Sequence, residues 1–139
     1  MPRVMLVEDN VNQMDSFGRW IEEQWGDVKV DIMDSLREIR DAATVGNAFP
    51  YDCAIVDVSI YEKKREDRVL EPPDIAHGIA GLRELLVVLP KEKLLVITAW
   101  LPDVQGPVHG LGLANRLRPK GPGLHKDVFI QEVGAMLGR

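Results

Sequence analysis

Val4-Met5-Leu6-Val7-Glu8-Asp9-Asn10 sets the pattern of this chain: four apolar residues in a row, two acids, then a residue that caps helices. An unbroken apolar run of that length is expected of a strand buried on both faces. Asn10 is a good N-cap. Val11, Met14, Gly18, Ile21 and Trp25 follow at helical spacing, Phe17 and Trp20 widen the stripe, and Gly26 stands where a helix C-cap belongs. The run recurs twice. Cys53-Ala54-Ile55-Val56 stops at Asp57, and Lys93-Leu94-Leu95-Val96-Ile97 stops at Thr98.

The segments between these runs complete an alternation. Val28 to Ile32 alternates like an edge or half-buried strand. Asp34 or Ser35 can cap a helix that turns Leu36, Ile39, Ala42 and Ala43 inward and ends at Gly46 and Asn47. Residues 58–73 read as an extended irregular loop with a charged middle, Glu62 to Arg68, closing on Pro72-Pro73. A helix then carries Ile79, Leu82, Leu86 and Leu89 and ends at Pro90. Pro102 to Gly112 reads as a poor helix, because Gly106, Pro107, Gly110 and Gly112 lie in it. Asn115 to Pro119 reads as a weak strand. The last helix uses Val128, Phe129, Val133, Met136 and Leu137. Five strands alternating with five helices predict an α/β fold, with right-handed crossovers and a parallel sheet covered on both faces.

Composition narrows the function classes. The 139 residues suit one domain, 45% apolar and 28% charged, as in ordinary globular chains. Seventeen basic against 22 acidic side chains leave −5, which is not the basic footprint of a direct nucleic-acid binder. The first apolar run is too short for a signal peptide, and no window approaches the roughly 20 apolar residues of a membrane span. A cytoplasmic protein is expected. One cysteine, Cys53, excludes an internal disulfide and a cysteine-built metal cluster, and reads as a buried core thiol. His77, His109 and His125 are too scattered for a metal site.

Chemistry in such a fold sits at the carboxyl ends of the strands. Glu8 and Asp9 stand at the first, Asp57 at the third, Thr98 at the fourth, and Lys120 after the fifth. Three carboxylates together repel, and a hard divalent cation such as Mg²⁺ removes the problem. Asp57 can give one oxygen to the ion and keep the other as a nucleophile toward phosphorus. Lys120 and Thr98 would then contact the phosphoryl oxygens.

Taken together, Val4 to Asn10, Ala54-Ile55-Val56-Asp57, Val96-Ile97-Thr98-Ala99 and Pro119-Lys120 resemble the response-regulator receiver domain of two-component signalling. The resemblance implies a flavodoxin-like (βα)5 three-layer sandwich with strand order 2-1-3-4-5. It implies Asp57 as the phosphorylation site, with Glu8, Asp9, Asp57 and the backbone carbonyl of Ser59 as Mg²⁺ ligands. Thr98 would be the switch hydroxyl and Lys120 the phosphate-binding cation. The partners it implies are a histidine kinase or phosphotransfer protein and a downstream protein target, with weak homodimerisation compatible. A single receiver over residues 1–139, without an output domain, is expected to act as a phospho-acceptor. It would not be an enzyme beyond slow self-catalysed phosphorylation and dephosphorylation.

The sequence departs from that family in four places. No proline follows Asp57 closely, and the loop carries about ten extra residues. Leu117 stands where an aromatic is usual three residues before the lysine. Gly121 separates Lys120 from Pro122, and the fourth helix is rich in glycine and proline. These features motivate a second reading, a pseudo-receiver that binds partners constitutively. A flavin-type cofactor binder ranks third, because no glycine-rich phosphate loop follows the first strand. The charged loop reads as solvated and mobile, with a lid or docking element as the sharper alternative. Trp100 is placed to screen the phosphoryl group, or to serve simply as a core or surface aromatic. Arg116 and Arg118 are expected to face solvent.

Overall fold

A computed structural model describes residues 1–44, 48–120 and 124–139, with the side chains of Val11, Gln13 and Met14 left aside. The expected helix stop at Gly46 and Asn47, the Gly121-Pro122 step, and the inward stripe at Val11 and Met14 lie outside the described residues. The order is β1 (Arg3–Val7), α1 (Val11–Gln24), β2 (Lys29–Met33), α2 (Leu36–Thr44), β3 (Cys53–Asp57), α3 (Ile75–Val88), β4 (Leu94–Thr98), α4 (Leu101–Gly110), β5 (Leu117–Pro119) and α5 (Lys126–Leu137). The strands form one parallel sheet in the order β2-β1-β3-β4-β5. This is the expected flavodoxin-like topology.

The apolar runs are continuous because both faces of the sheet are covered, and alternate residues serve opposite layers. Met5, Val7, Ala54, Val56, Leu94 and Val96 pack with Ile39, Leu82, Leu85, Val104 and Val108 on one side. Val4, Leu6, Cys53, Ile55, Leu95 and Ile97 pack with Phe17, Ile21, Phe129, Val133 and Met136 on the other. There Phe17 stacks on Phe129 with centroids 4.8 Å apart, and Trp20 meets both rings edge-on. β2 is one of the two edge strands, with Ile32 exposed.

Local expectations divide into those kept and those revised. Ser35 caps α2: its hydroxyl accepts from the Glu38 N–H at 3.2 Å, and the Glu38 carboxylate accepts from the Ser35 hydroxyl at 2.7 Å. Gly26 is no left-handed C-cap; it lies in a turn closed by the Val28 N–H on the Trp25 carbonyl. On α3 Leu82 is fully buried as expected, Leu85 is fully buried as well, and Leu86 packs half-buried against the same core. On α5, Val128 is exposed. The stretch after Trp100 forms a full helix despite Pro107. Pro102 lies in its first turn, where no N–H is needed, buried Val104 and Val108 anchor it, and Gly112 takes the left-handed conformation after its end. Arg116 and Arg118 do not point free into water. Arg116 donates to the Leu94 carbonyl at 2.7 Å, and both arginines pair with Glu132 on α5.

Helix α3 packs directly against the chain that leaves β3. The approach is so close that a Cβ at Gly78 would stand 1.9 Å from the Val58 carbonyl oxygen. At Gly81 the nearest atom, at 2.7 Å, is only the tip of the Ile39 side chain, which can rotate away. Gly78→Ala is therefore expected to cost about 3 kcal/mol, and Gly81→Ala much less. Urea unfolding of both variants checks this; equal midpoints would contradict the close-packing argument.

Candidate functional site

Register brings the candidate residues to one rim. Val7 is paired with Val56 and with Met33, so Glu8, the next residue, lies beside Asp57 at the end of β3. The Glu8 N–H donates to the Met33 carbonyl at 2.9 Å, carrying the β1–β2 ladder one step further. Asp57 is level with Ile97, which puts Thr98 one residue beyond it on the neighbouring strand. Thr98 is paired with Pro119, and the Lys120 N–H donates to the Thr98 carbonyl at 2.7 Å. Although β5 has three residues, that bond sets the lysine's position.

Lys120 is the hub. Its ammonium donates to Asp57 Oδ2 at 2.7 Å and to both Glu8 oxygens at 3.0 and 3.2 Å. Asp57 Oδ1 accepts from the Ser59 N–H at 3.0 Å, so its two oxygens have separate partners. Glu8 Oε1 also accepts from the Asn10 N–H. Glu8 and Thr98 are fully buried, and Asp57 is nearly so. Asp9, half-buried, completes a set of three carboxylates whose oxygens lie within 4.8 Å of one another. Among the described residues this is the one group of three or more metal-capable side chains close enough to share an ion.

The electrostatics follow from three acids and one base. Burial, reinforced by Asp57, pushes the Glu8 carboxyl up to about 9 against the pull of Lys120. Burial also raises Asp9. Burial disfavours the Lys120 charge, yet its hydrogen bond to Asp57 and the surrounding carboxylates outweigh this and raise it. With all three acids ionised the set would carry more negative charge than one ammonium balances, and the raised Glu8 and Asp9 carboxyls are how the folded chain avoids it. Hard oxygen donors in a small volume are what a divalent cation such as Mg²⁺ or Ca²⁺ binds. The donor set fits a metal.

Thr98 is at the rim, and its hydroxyl accepts from the Trp100 N–H at 2.9 Å. Trp100 is 57% exposed and lines a cleft of about 410 Å³ with Ser59, Pro73, Asp74, Ile75 and Asp103. It is a surface aromatic beside the site rather than a core residue. Leu117 is buried in the layer with α3 and α4, so the place three residues before Lys120 is occupied by an aliphatic core contact. Cys53 is buried, and burial pushes its thiol up to about 12.

The charged loop is solvated along most of its charges, as expected, but backbone and side-chain contacts tie it to the fold. The Ile60 and Asp74 main chains exchange two hydrogen bonds and close its ends. The Tyr61 N–H donates to the Asp34 carbonyl, and the carbonyls of Tyr61 and Glu62 accept from the Leu36 and Arg37 N–H groups. The loop thereby satisfies two of the amides that the start of α2 leaves open. The Arg68 guanidinium forks onto the Asp34 carboxylate and lies 3.7 Å from the Tyr61 ring centroid. Sequence reasoning missed Asp34, Tyr61 and Arg68 as a unit, since no local spacing links residues so far apart. It also missed Asp74, whose carboxylate caps α3 by accepting from the Ala76 N–H. There a signal was present: an acid after Pro72-Pro73 and before an apolar helix.

No protein-family model and no curated protein matches this sequence. Solved structures do match. A CheY-like response regulator receiver domain protein from Methanospirillum hungatei superposes with a TM-score of 0.72 at 15% identity, over 99% of this chain and 94% of that one. A response regulator receiver domain protein from Clostridium thermocellum gives 0.69 at 14%, over 99% and 95%. The beryllofluoride-activated NtrC4 receiver domain dimer gives 0.68 at 18%, over 99% and 98%. The chain has the receiver-domain fold. No helix among the described residues is long and apolar enough to cross a membrane.

The raised carboxyls make stability depend on pH in a definite direction. Glu8 and Asp9 release their protons at higher pH in the folded chain than in the unfolded one. The folded state therefore holds more protons between the ordinary carboxylate range and about 9, and stability falls as pH rises through that window. With a chelator present, the melting temperature should drop as pH rises from the ordinary carboxylate range to about 9. Glu8→Gln should flatten the drop; an equal slope in that variant would contradict the assignment.

Proposed function

We propose that this chain is a phospho-acceptor signalling module, in which Asp57 takes a phosphoryl group from a phosphohistidine on a kinase or phosphotransfer protein. The observation that carries the reading is the Lys120 ammonium shared by Glu8 and Asp57, with Asp9 alongside, at the carboxyl rim of a receiver fold. An Asp57 oxygen attacks phosphorus, the P–O bond forms, the P–N bond to the donor imidazole breaks, and that nitrogen keeps the electron pair. Glu8, Asp9, Asp57 and the Ser59 carbonyl would hold Mg²⁺. When bound, the ion supplies charge neutralisation for the phosphoryl oxygens.

The chain's own residues account for the rest of the chemistry. The Ser59 N–H fixes one Asp57 oxygen, leaving the carboxylate oriented before the donor arrives. Lys120, freed from Asp57 Oδ2 as that charge is esterified, can follow the charge onto the phosphoryl group. Thr98 would exchange its bond from the Trp100 N–H for one to a phosphoryl oxygen. That exchange alters the start of α4, where Trp100 sits, and shifts the balance between two surface states. The output in this reading is changed binding to a protein partner in the cytoplasm, without direct contact to nucleic acid or membrane.

Incubation with Mg²⁺ and a small acyl phosphate should add one phosphate by intact mass. The gain should vanish in Asp57→Asn and in chelator. Mg²⁺ should also quench or enhance tryptophan fluorescence at millimolar levels or below, with Trp100→Phe removing most of the signal. Absence of a mass shift with every small donor, together with no Mg²⁺ response, would sink the proposal in favour of a constitutive binding module.

A further inference from the structure

The loop after Asp57 carries a contact that the phospho-acceptor chemistry leaves unused. Arg68 donates through both terminal nitrogens to Asp34, through Nε to the Lys63 carbonyl at 2.8 Å, and covers the Tyr61 ring. The pair is largely shielded, with the Arg68 and Asp34 side chains 13% and 11% exposed. A shielded, forked ion pair with a stacked ring is far stronger than an ordinary surface pair. Elsewhere the loop's charges mostly face solvent, and Glu62, Lys63, Arg65, Glu66 and Asp67 are exposed.

The clamp grips the chain close to the acceptor. Tyr61 is its ring platform, and the Tyr61 N–H is bound to the Asp34 carbonyl. Ile60, the preceding residue, is fully buried and bound to Asp74. Ser59 precedes that, and its N–H holds Asp57 Oδ1. On the other side Val58 is fully buried under Gly78. The four residues after Asp57 are therefore fixed between the end of β2, the start of α3 and the loop.

We infer that Arg68 is a positioning residue for the acceptor: by clamping Asp34 and Tyr61 it holds the Ser59–Tyr61 backbone, and so keeps the Ser59 N–H on the Asp57 carboxylate. Lysine cannot replace it, because an ammonium has neither the fork nor the flat face. The inference rests on the phospho-acceptor reading of Asp57 for its purpose, but not for its physical content.

Backbone amide exchange on the full chain separates the two. Arg68→Ala should speed exchange at Ser59, Tyr61, Leu36 and Arg37 by about tenfold or more. It should also weaken Mg²⁺ binding, read by tryptophan fluorescence, and lower the melting temperature, because it leaves the shielded Asp34 carboxylate unpaired. Arg68→Lys should fall between the two, and it carries the comparison if the alanine variant unfolds. Lys64→Ala, which removes that loop residue's exposed 2.9 Å pair with Asp41 of α2, should leave Ser59 unchanged. The inference is overturned if Tyr61, Leu36 and Arg37 open while Ser59 stays protected, or if Lys64→Ala has the same effect on Ser59. A wild-type chain that binds no Mg²⁺ and gains no phosphate overturns the proposed function instead, and Ser59 exchange still decides the clamp.

Discussion

Everything at the carboxyl rim depends on one ammonium. Lys120 stands between a fully buried glutamate and a nearly buried aspartate and gives each a charged hydrogen bond. Removing water from two carboxylates is costly, and their mutual repulsion adds to the cost. A single cation offsets only part of it, which is why Glu8 retains its proton far above the ordinary carboxylate range. The rim is thus built so that a bound cation can take the place of a proton: a group that brings positive charge lets these carboxyls ionise together.

The sheet makes that concentration of charge sustainable. Its central strands are apolar along nearly their whole length, and both faces are packed, so polar groups are pushed to the strand ends. Parallel pairing puts all five carboxyl ends on one side. The lysine follows directly on the shortest strand, yet its N–H is held by the Thr98 carbonyl. Around it Arg116 and Arg118 tie the same strand to Glu132 of α5 and to the Leu94 carbonyl.

Much of this was readable in the chain itself. Three unbroken apolar runs, each stopped by an acid or a hydroxyl, carry both the topology and the rim. Glu8, Asp9, Asp57, Thr98 and Lys120 come together because strand ends are where a parallel sheet puts polar residues. What escaped reading was set by tertiary contact. α4 forms although its glycines and Pro107 disfavour a helix, because Val104 and Val108 are buried beneath it. Val128 has the look of a core residue but lies outside, and Leu85 joins the inward face beside Leu86 although spacing did not single it out. The loop's order depends on Arg68 meeting Asp34, a pairing across the fold that composition hides under a run of mixed charges.

The Ile60–Asp74 bridge has a consequence for chain length itself. It pins the two ends of the loop together, so the residues between them add contour without adding slack at Asp57. The entropy of closing a loop grows only with the logarithm of its length, about 0.6 kcal/mol for each doubling. A segment tethered in this way can lengthen or shorten at small thermodynamic cost while the residues on either side of the tether stay in register. The region after the acceptor strand is therefore a place where this fold can absorb insertions that leave Tyr61 and Arg68 on Asp34.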